Sequence, residues 1–137
     1  MIAEKNEILL PSTIDSVEKA AAEAAEFARQ AGLGDEAFFG IDMAVREAVA
    51  NAVKHGNKLD ESKSIELTFV NLPEGLEITV RDFGPGFAVD DVADCTREEN
   101  LLKASGRGIL FMRSFMDEVE WEAAPDGGTV VRMVKKR

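Results

Sequence analysis

Arg46-Glu47-Ala48-Val49-Ala50-Asn51-Ala52-Val53-Lys54-His55-Gly56 is the stretch on which the reading of this 137-residue chain turns. Apolar residues recur at Phe38, Ile41, Val45, Ala48, Val49, Ala52 and Val53, the i, i+3, i+4 spacing of a helix that buries one stripe. Glu47, Asn51 and His55 stand four apart, so at about 100° per residue they form a slanted row along the edge of that stripe. A carboxylate, an amide and an imidazole at the rim of a core each need a partner. A bound polar ligand can supply what packing does not.

The pattern on either side places this helix, expected from Asp35 to His55 with Gly56-Asn57 as its stop, in a mixed fold. A short strand runs from about Asn6 to Pro11. Ser12 is read as the N-cap of a first helix, with Asp15 in the capping-box place, and Gly32 and Gly34 end that helix. After the polar turn from Asp60 to Ser64, Ile65, Leu67 and Phe69 alternate with polar residues. Leu76, Ile78 and Val80 do the same beyond Pro73-Glu74-Gly75, which is a hairpin with one buried face. Strand parity puts Asp82 on that buried face, directly before the turn Phe83-Gly84-Pro85-Gly86-Phe87. Residues 88–105 have no clear period and form a long loop. Ser105-Gly106-Arg107-Gly108 then opens a helix marked by Ile109, Met112, Phe115 and Met116, and strands follow near 119–123 and 129–134, on either side of Asp126-Gly127-Gly128. The order predicts one α+β domain over residues 1–137, a two-layer sandwich with a mixed, mostly antiparallel sheet and its helices on one face.

Composition narrows the function. With 45% hydrophobic and 31% charged residues the chain has the make-up of an ordinary globular domain, and its net charge of −10 lacks the basic footprint that nucleic acid or an anionic membrane surface demands. Protein partners or a metal-chelated anion fit better. Cys95 is the single cysteine, so no internal disulfide forms, which suits a reducing cytoplasm. The apolar run Ile8-Leu9-Leu10 near the start is too short for a signal sequence or a membrane span.

Three separated features call for a common ligand: the Glu47/Asn51/His55 row, the core-facing Asp82 with its glycine turn, and Gly106-Arg107-Gly108 at a helix start. Free N–H groups at a glycine-rich helix N-terminus favour phosphate. An amide oxygen such as that of Asn51 is a hard ligand suited to Mg²⁺ beside phosphates. A buried carboxylate can accept from an exocyclic amine of the kind adenine carries. Together they describe a purine nucleotide site, and neither a Walker A sequence nor a Rossmann Gly-x-Gly-x-x-Gly is present to suggest another.

In wording and order, Glu47-Ala-Val-Ala-Asn51-Ala-Val-Lys-His55 resembles the N box of the Bergerat-fold (GHKL) ATPases, Asp82-Phe-Gly84-Pro-Gly86 their G1 box, and Gly106-Arg107-Gly108 their G2 box. Within that superfamily the chain resembles the bacterial anti-sigma factor serine kinases of the RsbW type. The resemblance implies ATP and Mg²⁺ as cofactors, with Asn51 as the metal ligand and Glu47 as the catalytic base. It makes Asp82 the adenine contact, with Gly84 and Gly86 shaping the base pocket and His55 completing the N box. Gly106 and Gly108 approach the phosphates, and residues 88–105 form the ATP lid. Related kinases carry a basic residue just before the G2 glycines; Ala104-Ser105 stands there in this chain, so Lys103 or Arg107 takes that role. The implied partners are a sigma factor and a STAS-type anti-anti-sigma protein, with a homodimer through the first strand and helix. Two other readings stay open: a nucleotide-binding interaction module that transfers no phosphate, and a detached histidine-kinase catalytic domain.

Overall fold

The computed structural model describes residues 5–57, 59–84, 108–125 and 127–136. In chain order they form β1 (Lys5–Pro11), α1 (Asp15–Gln30), α2 (Asp35–Asn51) with a π-helical turn (Ala52–Gly56), β2 (Ser64–Leu72), β3 (Gly75–Asp82), α3 (Gly108–Phe115), β4 (Glu118–Ala123) and β5 (Thr129–Lys136). The strands make one sheet in the order β1-β2-β3-β5-β4, and each of its four pairings is antiparallel. The expected two-layer arrangement is present, and no parallel pair is found among the described residues.

Period-2 alternation explains why one face of the sheet is dry. In the register Leu67 lies opposite Val80, Phe69 opposite Ile78, and Ile78 opposite Met133, so their side chains share a face. That face is fully buried, and the helical stripe of Ile41, Ala44, Val45, Ala48, Val49 and Val53 closes over it together with Met112. Each large apolar side chain so enclosed contributes roughly 1.5–3 kcal/mol. Phe27 of α1 stacks on Phe69 at 5.5 Å and ties the first helix to the sheet. The opposite face carries Glu66, Glu77, Arg132 and the glutamates of β4, with Arg132 Nε bonded to Glu77 at 2.9 Å.

α1 ends as its glycine predicts. Gly32 takes φ +81, its N–H reaches Arg29 O at 3.1 Å, and Leu33 N–H reaches Ala28 O at 3.1 Å, the paired bonds of a Schellman motif. Its start differs from the expectation. The helix begins at Asp15 without a side-chain cap, because Ser12 is fully buried and its Oγ accepts the side-chain amide of Asn57 at 2.9 Å. A tertiary partner has won the hydroxyl that a local cap would have used.

The end of the second helix also differs. The α-helix stops at Asn51, and the next turn winds wider, with Asn57 N–H bonded to Ala52 O at 2.8 Å. The wider turn carries the chain to β3: the glycine at its end lies against Asp82, and the side chain of Asn57 is drawn inward by three partners.

Candidate nucleotide site

Asp82 closes β3 and is the one carboxylate among the described residues that the fold buries, at 6% exposure. Parity put it there, as the sequence predicts. Its Oδ1 accepts the N–H groups of Gly84 and Thr129, each at 3.1 Å. The other oxygen, Oδ2, faces the backbone of Gly56: a Cβ there would stand 2.0 Å from it. Gly84 is held as tightly, since a Cβ on it would meet Gly56 O at 1.8 Å. Gly128, at φ +85, completes the ring from the turn between β4 and β5, where a Cβ would meet Asp82 O at 2.1 Å. Backbone from three segments therefore encloses one carboxylate.

Burial pushes the Asp82 carboxyl above the ordinary aspartate value, while the N–H groups of Gly84 and Thr129, then the charges of Arg81 and Lys63, pull it down. The contribution of this group to fold stability is complete below the ordinary aspartate value and is lost as pH rises through the raised one. If Asp82 accepts the amine of a bound base, ligand binding runs the other way, because the ionised form is the stronger acceptor. ATP affinity, taken relative to inorganic triphosphate so that phosphate titration cancels, is thus expected to weaken about tenfold per pH unit below the raised value. Calorimetry from pH 8 downward checks it; a ratio that stays flat down to the ordinary aspartate value of 3.8 would contradict the role of Asp82.

The peptide after Asp82 is fixed on both sides. Phe83 N–H donates to Asn57 Oδ1 at 2.8 Å, Lys63 Nζ donates to Phe83 O at 2.9 Å, and the Arg81 guanidinium sits 4.6 Å over the Phe83 ring. Glu47 and Asn51 are half-buried on α2, and among the described residues neither side chain has a hydrogen-bond or ion-pair partner. His55, in the π turn, is exposed, so the row of three is half-buried only through Asn51. α3 begins at Gly108. Gly86, Lys103, Gly106, Arg107, Cys95 and the lid expected over 88–105 lie outside the described residues.

The donor set fits a hard divalent cation held in part by a nucleotide. Among the described residues no group of three or more His, Cys, Asp or Glu side chains could cage an ion. A single half-buried amide oxygen, that of Asn51, is the sparse protein contribution that suits Mg²⁺ when phosphates fill the remainder.

Sequence reading missed several members of this arrangement. Gly56 reads as a helix stop, Asn57 as part of it, Lys63 as a turn residue, Gly128 as part of a hairpin turn and Thr129 as the first residue of a strand. Only the pairing of β5 beside β3 brings Thr129 to a carboxylate 47 residues earlier.

A helix-covered antiparallel sheet of this order is the fold of the GHKL class of ATPase domains. Solved structures agree: the RsbU and RsbW domains of a Mycobacterium tuberculosis protein superpose with a TM-score of 0.66 at 18% identity, over 97% of this chain and 32% of that one. The catalytic domain of the histidine kinase ThkA gives 0.60 at 14% identity, over 97% of each. Residues 10–135 match the histidine kinase-like ATPase domain, and the chain belongs to that family. Among curated relatives, an anti-sigma F factor of Clostridium perfringens is 35% identical over 100 residues, 70% of each chain. That of Thermoanaerobacter sp. is 35% identical over 117 residues, 81% of this chain and 78% of its own.

Proposed function

We propose that this chain is an ATP-dependent protein serine kinase of a partner-switching system, which binds a sigma factor and phosphorylates a serine of a STAS-type anti-anti-sigma protein. The observation that carries the reading is one continuous unit: α2 presents Glu47 and Asn51 on a half-buried face, and its π turn runs directly onto Asp82. The identity with anti-sigma F factors supports the partner class. No helix among the described residues is long and apolar enough to cross a membrane, and the reading sets the protein and its partners in the cytoplasm.

In the proposed reaction Asp82 holds the base and Gly84 lets the backbone approach it. Asn51 would hold Mg²⁺, which would supply neutralisation of phosphate charge. Glu47 takes the proton of the partner's serine hydroxyl as its Oγ attacks the γ-phosphorus. The new Oγ–P bond forms while the bond from phosphorus to the β,γ-bridging oxygen breaks, and ADP leaves. Positioning and charge neutralisation suffice for such a transfer, so this small set of side chains is adequate.

The metal assignment gives a clean double comparison. Asn51→Ala is expected to lower ATP affinity in Mg²⁺ to the wild-type level in EDTA while leaving affinity in EDTA unchanged, as calorimetry reads it. Undiminished Mg²⁺-dependent binding would remove Asn51 from the role. Transfer itself is tested with γ-labelled ATP and the cognate STAS-type protein: wild type should label a serine, and Glu47→Gln should bind ATP yet transfer at least about 100-fold more slowly. Ala104-Ser105 before Gly106 favours the second reading, a module that binds nucleotide and partner without transfer; ATP binding with no labelled serine would select it.

A further inference from the structure

The geometry points to Asn57 as the positioning residue for base recognition, the side chain that holds the Asp82 carboxylate in the orientation that selects an amine-bearing purine. The inference rests on the reading of Asp82 as the base contact. Asn57 is 1% exposed and spends its amide completely: Nδ2 donates to Ser12 Oγ at 2.9 Å and to Ser64 O at 3.0 Å, and Oδ1 accepts Phe83 N–H at 2.8 Å. These partners belong to the β1–α1 junction, the start of β2 and the segment after β3. One side chain therefore joins three strands' ends to the last turn of the second helix.

Its position along the chain is what links it to the carboxylate. Asn57 follows Gly56, whose backbone touches Asp82 Oδ2, and it grips Phe83, which lies between Asp82 and the Gly84 that donates to Oδ1. One neighbour of each carboxylate oxygen is thus adjacent in sequence to Asn57 or to its Phe83 bond, while Thr129 N–H holds Oδ1 from β5. With Oδ1 occupied by two N–H groups, Oδ2 is left as the acceptor for an exocyclic amine. Release of the Phe83 tie loosens the segment that brings Gly84 N–H to Oδ1 and leaves Thr129 N–H as the remaining fixed donor. The carboxylate so gains freedom to turn, and an acceptor that can turn separates an amine from a carbonyl less sharply. Lys63 still holds Phe83 O at 2.9 Å, so the segment stays attached while its N–H side loosens.

The test compares ATP with ITP, whose base has a carbonyl in place of the 6-amine. A buried acceptor built for an amine rejects its carbonyl analogue strongly. Calorimetric titration of both nucleotides into the wild type should show a preference for ATP of about 100-fold or more. Asn57→Ala, verified as folded by circular dichroism, should reduce that preference by at least about tenfold while its affinity for inorganic triphosphate stays within about threefold. Asn57→Asp keeps an acceptor for Phe83 N–H and should retain most of the preference despite a lower melting temperature. If Asn57→Ala does not fold, Asn57→Ser carries the same expectation as the alanine variant. A folded alanine or serine variant with the wild-type ATP-to-ITP ratio would overturn the inference and leave Asn57 a purely structural tie. A wild type that fails to distinguish ATP from ITP would instead overturn the base-contact reading of Asp82, and this inference with it.

Discussion

Asp82→Asn is expected to cost at least about 100-fold in ATP affinity, roughly 3 kcal/mol, in a chain that remains folded. The asparagine carbonyl can keep the N–H groups of Gly84 and Thr129 that Oδ1 accepts at 3.1 Å. The new amide then stands where Oδ2 stood, and it presents a donor to the donor amine of the base. Binding is lost through that mismatch and not through collapse. Burial is the leading cause of the raised Asp82 value, so removing the charge relieves a penalty, and the melting temperature of the nucleotide-free variant should equal or exceed that of the wild type at neutral pH. Displacement of a fluorescent nucleotide reads the affinity and differential scanning calorimetry the stability. A variant that melts earlier and binds normally would reverse both halves of the expectation.

Gly84→Ala should fail in the opposite manner, by losing fold and binding together. The added Cβ would lie 1.8 Å from Gly56 O and 2.7 Å from its carbonyl carbon, and both are backbone atoms with no rotamer to yield. Overpacking of this kind costs about 3 kcal/mol or more, which in a domain of this length lowers the melting temperature by roughly 10 °C. Relief requires the π turn to move off Asp82, so ATP binding falls with stability. A variant within about 2 °C of the wild type that binds ATP normally would show that the contact between Gly84 and Gly56 is not what encloses the carboxylate.

These two positions also show what sequence could and could not convey. Asp82 was readable because strand parity is strict: three alternating apolar residues before it fix the face on which it falls. The sandwich was readable for the same reason, since each strand and helix carries its own period. Gly56 read only as a stop, because a helical pattern of apolar residues does not distinguish a 3.6-residue turn from the wider one that the structure adopts at Ala52–Gly56. Ser12 misled for a related cause: its local spacing to Asp15 fits a cap, while its true partner is Asn57, 45 residues away. Thr129 and Gly128 gave no signal, since a hairpin turn is a sufficient explanation of Asp126-Gly127-Gly128 until the sheet order sets β5 beside β3. Local rules recovered the side chains that one element aims at the site. Members delivered by pairing between distant elements needed the fold.

The central claim is that Asp82 and Asn51 belong to one nucleotide site, and calorimetric titration of ATP into the nucleotide-free wild type, first with Mg²⁺ and then with EDTA, tests it most directly. One ATP per chain is expected, bound at least about tenfold more tightly with Mg²⁺, as a ligand held partly by an amide oxygen and partly by phosphates requires. Absence of ATP binding under both conditions would contradict it, and would leave a chain with the family's fold and without its ligand.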